Sequence, residues 1–176
     1  MTRTGPAAAA KAIQIREYRA SDWPQVWPIL EATFRAGETY AFSPHTTEDE
    51  ARHLWLEVPA RTFVALDLDG AILGTYFIKA NQPGLGAHVC NCGYIVAALA
   101  QGGGIAARMC EHSQAEALRM GFLAMQFNFV VATNTRAIAL WERLGFAVVG
   151  RLPGAFRHRE LGFVDALVMF KQLAPA

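Results

Sequence analysis

The stretch Gln101-Gly-Gly-Gly-Ile-Ala106 lies between a predicted strand and a predicted helix. Glycines allow the backbone to adopt positive φ values and to approach a ligand closely. Amides at the start of a helix, together with the positive end of the helix dipole, favour an anion such as a phosphate. The turn lacks the Gly-Lys-Ser/Thr of a P-loop and the third glycine and downstream acid of a Rossmann turn. By itself it predicts either an anion site or a flexible loop.

A second informative stretch, Asn134-Thr-Arg-Ala-Ile-Ala-Leu-Trp-Glu-Arg-Leu-Gly-Phe146, follows the next predicted strand. Asn134 is a favourable N-cap residue, and Gly145 is suited to end a helix. The apolar residues between them recur at helical spacing and would line one face: Ala137, Leu140, Trp141 and Leu144. The pattern alone predicts an amphipathic helix packed on the core.

The rest of the chain adds strand and helix signals at regular intervals. Asp69-Gly70 between two apolar runs predicts a hairpin, and Ser21-Asp22 is expected to cap the first helix. The predicted strands are Ile13–Tyr18, Thr62–Asp67, Ala71–Ile78, Ala87–Ala97, Leu123–Val131, Phe146–Arg151 and Phe163–Phe170, the last two joined by an irregular loop at Pro153-Gly154. The predicted helices run from Trp23 to about Gly37, from near Thr46, from Gly103 to Met120 and from Asn134 to Leu144. This order predicts one mixed α/β domain over residues 13–173, after a flexible leader over residues 1–12.

Composition and charge narrow the class of protein. The 176 residues carry a formal net charge of +1, so no basic field indicates a nucleic-acid partner. No run approaches the roughly 18 consecutive apolar residues of a membrane span, and no signal peptide is recognisable. The three cysteines are odd in number and clustered, which argues against a disulfide framework and indicates a cytoplasmic setting.

A zinc site is one interpretation of His88, Cys90 and Cys92, which alternate along a predicted strand and would share one of its faces. Structural zinc sites commonly combine two ligand pairs, and the sequence offers no second pair. We therefore predict no metal, and we interpret the cysteines as buried thiols.

Taken together, the two stretches resemble the GNAT superfamily of acyl-CoA-dependent N-acyltransferases. The resemblance is carried by Gln-x-x-Gly-x-Ala at residues 101–106 and by Asn-x-x-Ala-x-x-Leu-aromatic-x-x-x-Gly-Phe at residues 134–146. It implies a mixed, mostly antiparallel sheet of about seven strands, with four flanking helices and two splayed central strands. It also implies an enzyme that transfers acetyl from acetyl-CoA to an amine.

The same resemblance implies where acetyl-CoA binds. Its pyrophosphate would contact the backbone amides of Gln101, Gly102, Gly103, Gly104, Ile105 and Ala106. Backbone groups of Tyr94, Ile95 and Val96 would bind the pantetheine arm and polarise the thioester carbonyl, where residues 93–96 separate from residues 127–131. Asn134 would bond the pantetheine arm and support catalysis, and Trp141 would line the same site.

The sequence departs from the family at Trp141. Many family members carry a tyrosine at this position, where it can protonate the leaving thiolate. Indole has no proton to give near neutral pH, so either another group serves or the thiolate is released to water. We expect direct attack by the amine, with positioning and carbonyl polarisation as the main contributions. A covalent intermediate on Cys92 or Cys110 is a less favoured alternative.

Asparagines inside apolar runs indicate the acceptor, because a buried amide requires hydrogen-bond partners. Asn91 and Asn128 are each either a substrate contact or an amide satisfied by neighbouring backbone. Residues 74–150 are similar to the fungal L-azetidine-2-carboxylate N-acetyltransferases, through Asn-Gln-Pro-Gly at 81–84, His-Val-Cys-Asn-Cys-Gly-Tyr at 88–94 and Phe-Asn-Phe-Val-Val at 127–131. In that family the asparagines matching Asn91 and Asn128 face the substrate carboxylate, which implies a small amino or imino acid as acceptor.

The segment Gly37-Glu-Thr-Tyr-Ala-Phe42 resembles the substrate loop of amino-acid and phosphinothricin N-acetyltransferases. Glu38 is a candidate to orient or deprotonate the amine through water, with His88 as its rival. Tyr40 would form a wall of the pocket. Both loop residues are equally compatible with an ordinary surface loop.

Two other functions remain open from the sequence. One is acetylation of a peptide or protein N-terminus, or of an amine antibiotic, although the scattered acidic residues disfavour an aminoglycoside. The other is a non-catalytic acyl-CoA-binding sensor, which the missing tyrosine allows. A homodimer is also left open.

Overall fold

The computed structural model describes residues 12–175. Its strands are β1 (Gln14–Glu17), β2 (Arg61–Leu66), β3 (Ile72–Ala80), β4 (Val89–Val96), β5 (Ala124–Val131), β6 (Ala147–His158) and β7 (Gly162–Gln172). Its helices are α1 (Trp23–Ala36), α2 (Glu48–Arg52), which continues as a π-helical segment (His53–Glu57), α3 (Ile105–Arg119) and α4 (Thr135–Arg143). The leader predicted over residues 1–12 lies outside the described residues, apart from Ala12. Within residues 12–175, no helix is long and apolar enough to cross a membrane.

The seven strands form one sheet in the order β1-β2-β3-β4-β5-β7-β6. Neighbouring strands are antiparallel except for β4 and β5, which are parallel. One face of the sheet, called the α1 face, packs against α1, α2 and the π-helical segment through Leu30, Phe34, Trp55 and Phe77. The opposite face, called the α3 face, packs against α3 and α4 through Met109, Cys110 and Trp141. The predicted order of helices and strands is confirmed.

Two local predictions are wrong. The sequence predicts a loop at Pro153-Gly154, but β6 runs through these residues, and its register against β7 shifts between Leu152 and Phe156. Since β6 lies at the edge of the sheet, it tolerates a proline that cannot donate a ladder hydrogen bond. The sequence also predicts that Ser21-Asp22 caps α1; Asp22 is indeed the N-cap residue, but its side chain makes no capping hydrogen bond.

The Asp22 carboxylate does not bond to the first amides of α1. It accepts two hydrogen bonds from the Arg16 guanidinium, at 2.7 and 2.8 Å, and a third from the Arg19 backbone N–H at 2.7 Å. A two-pronged bond between charged groups is stronger than a neutral cap, so Arg16 outcompetes the helix for this carboxylate. The same pairing lowers the pKa of Asp22.

The central strands β4 and β5 pair over two residues and then separate. Val89 is opposite Ala124 and Cys90 is opposite Met125, after which the parallel ladder ends. On its other side β4 stays paired with β3 as far as Val96. The predicted splay is therefore present, and it opens towards the carboxyl ends of both strands.

The direction of the β4 backbone groups follows from the bonds at its start. The Val89 carbonyl accepts a hydrogen bond from the β3 side, whereas the His88 carbonyl accepts one from the β5 side. Because successive residues of a strand point their backbone groups to opposite sides, the N–H and C=O of Cys92, Tyr94 and Val96 face the gap. This gap, bordered by β4 beyond Cys90 and β5 beyond Met125, is called the cleft.

Aromatic rings pack against the cleft from the α3 face. The ring centroids of Tyr94 and Phe127 are 5.8 Å apart, and that of Trp141 lies 5.2 Å from Tyr94 and 5.1 Å from Phe127. Phe146 stacks on Phe127 at 4.3 Å. These contacts stabilise the separated strands on one side.

On the α1 face, the loop after α1 closes over the same strand. The Tyr40 hydroxyl donates a hydrogen bond to the Tyr94 carbonyl at 3.0 Å, which satisfies a backbone group that β5 leaves unpaired. A Cβ added at Gly93 would come within 2.6 Å of the Phe77 ring and 3.0 Å of the Tyr40 hydroxyl. The absence of a side chain at Gly93 thus lets both rings rest directly on β4.

We expect the substitution Gly93→Ala to destabilise the protein by about 1–3 kcal/mol, because the new methyl group must displace the buried Phe77 ring. The matched control is Gly150→Ala in β6, where the added Cβ would meet Val168 at an ordinary 3.6 Å. The free energy of unfolding, measured by denaturant titration, should fall in the first variant and stay close to wild type in the second. Equal stability of the two variants would contradict this packing.

Candidate active site

The glycine turn lies beyond the carboxyl end of β4. Gly102 and Gly104 have φ values of 81° and 76°, the left-handed region that favours glycine. Gly104 is the N-cap of α3 and supplies no side-chain bond, so α3 begins at Ile105, later than predicted. A Cβ at Gly102 or Gly104 would meet nothing within 4 Å. Two of the predicted pyrophosphate donors are occupied, because the N–H groups of Gln101 and Gly103 donate to the Ala98 and Ala100 carbonyls at 3.4 Å. The backbone donors that the turn offers to a ligand are therefore those of Gly102, Gly104 and the first residues of α3, whose first turn carries no acidic residue.

Asn134 lies at the other border of the cleft. Its Oδ1 accepts a hydrogen bond from the Ala137 N–H at 3.2 Å, which confirms the predicted N-cap of α4. Because β4 and β5 are parallel, their carboxyl ends meet at one edge of the sheet. The glycine turn and Asn134 consequently flank the open end of the cleft.

The predicted cofactor residues on β4 do not all face the cleft. Tyr94 and Val96 direct their backbone groups into it, as described above. Ile95 is a correction: its backbone groups face β3, and its side chain is 3% exposed and packs on the α1 face. Since successive residues of a strand point their backbone groups to opposite sides, a ligand in the cleft cannot bond to the backbone of three successive residues.

Neither tyrosine beside the cleft is a ready proton donor. The Tyr94 hydroxyl lies 2.6 Å from Ser113 Oγ, and Ser113 itself donates to the Cys110 carbonyl, so Tyr94 donates to Ser113. The Tyr40 hydroxyl is committed to the Tyr94 carbonyl. Burial raises the pKa of both phenols. Trp141 is 7% exposed and acts as a packing residue on the α3 face.

The cysteines are unsuited to nucleophilic catalysis. All three thiols are buried on the α3 face. Burial raises the pKa of Cys92 well above its ordinary value and that of Cys110 to about 11. Both thiols are therefore neutral near pH 7, whereas the thiolate is the nucleophile. In the described part of the chain, no three His, Cys, Asp or Glu side chains are grouped so that they could hold a metal ion.

Four amide side chains meet where the cleft begins on the α1 face. Asn91 Nδ2 donates to the Gln126 carbonyl at 2.9 Å, and Gln126 Nε2 donates to Asn128 Oδ1 at 2.8 Å. Asn128 Nδ2 in turn donates to Asn81 Oδ1 at 2.6 Å. These residues, Asn81, Asn91, Gln126 and Asn128, are called the amide cluster. The structure brings the two predicted substrate asparagines together within it.

The amide cluster also lies where strand pairing is interrupted, and it provides a hydrogen bond to a backbone carbonyl there. The Asn91 side chain donates to the Gln126 carbonyl just beyond the last β4–β5 pair, so it bridges the two strands where the ladder stops. Asn128 lies at an irregularity in the β5–β7 register, between Phe127 and Val130, and is exposed between the buried Phe127 and the half-buried Phe129. A primary amide nitrogen has two N–H donors. Asn91 and Asn128 each use one in these contacts, which leaves each a second donor for a ligand.

The two candidate bases, His88 and Glu38, lie on different elements of the structure. His88 is exposed and donates through Nδ1 to the Leu85 carbonyl at 3.2 Å. By strand alternation it shares the α3 face with Cys90, opposite Asn91, so the structure separates it from the predicted substrate residues. Glu38 is exposed in the loop after α1, two residues before the half-buried Tyr40.

Sequence reasoning missed three residues beside the candidate substrate site: Lys79, Asn81 and Gln126. Lys79 is the cross-strand partner of Asn91, and its Nζ lies 5.7 Å from the centre of the Phe77 ring. The predicted strand ends at Ile78, one residue before Lys79, and the register that places Lys79 opposite Asn91 is set between β3 and β4. Gln126 and Asn81 depend on contacts across strands, which no local pattern specifies.

Comparison with known proteins agrees with this geometry. Residues 15–146 match the model of the Acetyltransferase (GNAT) family. The chain is 31% identical to N-acetyltransferase aca1 of Schizosaccharomyces pombe, in a match that covers 75% of this chain and 71% of the relative.

Solved structures share the fold. A GCN5-related N-acetyltransferase from Kribbella flavida is 44% identical, with a TM-score of 0.87 over 92% of this chain and 98% of that one. A phosphinothricin acetyltransferase from Sinorhizobium meliloti, solved in complex with AcCoA, is 19% identical, with a TM-score of 0.83 over 92% of this chain and 89% of that one. The fold predicted by resemblance is confirmed. The chain belongs to the GNAT family of acetyltransferases and is an acetyl-CoA-dependent N-acetyltransferase.

Proposed function

We propose that this enzyme acetylates the amine of a small amino or imino acid. The observation that carries the proposal is the amide cluster at the closed end of the cleft. Its side chains are neutral hydrogen-bond donors and acceptors, and two of them retain a donor for a ligand. Such donors suit a carboxylate, whereas a cationic amine antibiotic would be expected to meet acidic side chains.

The residues of the cleft fit acetyl-CoA. The backbone N–H groups of Gly102 and Gly104 and the first amides of α3 would hold the pyrophosphate. The backbone groups of Tyr94 and Val96 would bond the pantetheine amides, as a neighbouring strand would. Asn134 would contribute its Nδ2, which has no hydrogen-bond partner among residues 12–175. Acetyl-CoA supplies an acetyl group activated as a thioester.

The proposed catalysis depends on positioning the acceptor amine and on polarising the acetyl carbonyl. The backbone N–H groups on the cleft side of β4 would polarise the acetyl carbonyl, and the amide cluster would orient the acceptor amine. The amine attacks directly, the bond from carbon to sulfur breaks, and the thiolate leaves to solvent. We propose that Glu38, at the exposed edge of the loop that holds Tyr40, accepts the proton of the amine through water.

The likeness of residues 74–150 to the L-azetidine-2-carboxylate N-acetyltransferases supports the same acceptor class. In this structure the matching asparagines, Asn91 and Asn128, lie in one cluster beside the cleft. The shared fold with an enzyme named for phosphinothricin is consistent with this proposal. A small cyclic imino acid is the form of acceptor that the proposal favours.

We expect Gly104→Glu to weaken acetyl-CoA binding by on the order of 100-fold, because a carboxylate would occupy the proposed phosphate site. The matched control is Gly121→Glu after α3, since Gly121 also has a positive φ of 87° and open space around its Cβ. Calorimetric titration with acetyl-CoA measures both affinities. If the two variants bind acetyl-CoA equally well, the turn does not hold the pyrophosphate.

The acceptor is tested by following thiol release with L-azetidine-2-carboxylate, L-proline, L-methionine and their carboxamides. We expect Asn91→Ala and Asn128→Ala to lower kcat/KM for the carboxylates by roughly 10- to 100-fold, as for loss of a bond to a charged group. Asn128→Asp keeps the shape but adds a repelling charge, so it should cost more than Asn128→Ala.

Two outcomes would count against this assignment. Unchanged kcat/KM in both alanine variants would remove the asparagines from carboxylate binding. Turnover of another amine, with none of the amino or imino acids accepted by the wild type, would exclude the proposed acceptor class.

A further inference from the structure

Lys79 is a cation placed beside the proposed acceptor site. It lies in β3 opposite Asn91, on the α1 face, and its Nζ is 5.7 Å from the centre of the Phe77 ring. That ring rests on Gly93, next to the Tyr40 hydroxyl. Lys79 therefore extends from the strand position opposite Asn91, on the same face of the sheet as Asn91 and the Phe77 ring.

The ammonium of Lys79 has no carboxylate partner in residues 12–175, where seven ion pairs occur and none includes it. The other lysine of the described chain, Lys171, is bound internally, to the Leu144 carbonyl at 2.7 Å and to Gln114 Oε1 at 2.5 Å. An anion bound beside this half-buried ammonium would pair with it and gain a favourable charge interaction.

The position of Lys79 separates it from the phosphate site. Its register partner Asn91 precedes the carboxyl end of β4 by five residues, about 16 Å at 3.3 Å per residue. The glycine turn lies beyond that far end. An anion bound by Lys79 is consequently at the acceptor end of the cleft.

We infer that Lys79 binds the carboxylate of the acceptor and makes the enzyme selective for amines that carry one. This inference rests on the proposed function and deepens it. The ammonium neutralises the carboxylate, while the second donors of Asn91 and Asn128 fix its orientation. The same charge repels a protonated diamine, which disfavours acceptors with no carboxylate.

The test compares kcat/KM for L-azetidine-2-carboxylate, L-proline and L-methionine with kcat/KM for their carboxamides. In Lys79→Met we expect the preference for carboxylate over carboxamide to fall by roughly 10- to 100-fold, mostly through a higher KM for the carboxylate. Turnover of the carboxamides should change little. Lys79→Arg, which keeps the charge, should retain most of the preference.

Arg61→Met is the matched control. Arg61 is an exposed cation of β2 opposite Ile78, which packs on the α3 face, so the variant removes one positive charge from the other side of the same sheet. Its preference should equal that of the wild type. The unfolding midpoint of each variant shows whether Lys79→Met remains folded.

A preference unchanged in Lys79→Met, or an equal loss for carboxylates and carboxamides in the folded variant, would overturn the inference. Those results leave the proposed acceptor class intact, because the wild type still acetylates the amino or imino acid. A wild type that accepts none of these acids but acetylates another amine would overturn the proposed function and this inference together.

Discussion

The interruption of hydrogen bonding between β4 and β5 is the constraint on which the rest of the structure depends. Beyond Cys90 and Met125, a parallel pair in the middle of the sheet loses its ladder. Unpaired backbone groups in a protein interior are costly unless they find partners. Asn91 supplies one partner, to the Gln126 carbonyl, and Tyr40 supplies another, to the Tyr94 carbonyl. The groups that remain on the cleft side of β4 are those that a ligand can use.

The cleft has two chemically different ends. At the carboxyl ends of the strands, the glycine turn and Asn134 present backbone and amide donors, so a chain with a net charge of +1 can bind a phosphate without a basic patch. At the closed end, the amide cluster and Lys79 combine neutral donors with one cation. Under the proposed function, this division places the charged cofactor and the carboxylate of the acceptor at different ends of one cleft.

The sequence predicts the features that are set by residues close together in the chain, and it misses those that are set by pairing between strands. The left-handed glycines and the N-cap at Asn134 follow from residues close together in the chain, and both signals gave the correct elements. The continuation of β6 through Pro153 depends on its position at the sheet edge, which the sequence does not reveal. Three other features are set by contacts between strands. They are the bond from Asn91 to Gln126, the irregular register at Asn128 and the position of Lys79 opposite Asn91. For that reason the sequence indicates the glycine turn and Asn134, which flank the open end of the cleft, more fully than the amide cluster, of which it indicates only Asn91 and Asn128.

We propose that the backbone groups on the cleft side of β4, which have no strand partner, bind acetyl-CoA. Residue-resolved amide hydrogen exchange, measured by NMR with and without acetyl-CoA, tests it most directly. In the free enzyme we expect the amide hydrogens of Tyr94 and Val96 to exchange faster than those of Gly93 and Ile95, whose backbone groups face β3. Acetyl-CoA should then slow Tyr94 and Val96 selectively. Uniform protection along β4 that acetyl-CoA does not change would contradict it.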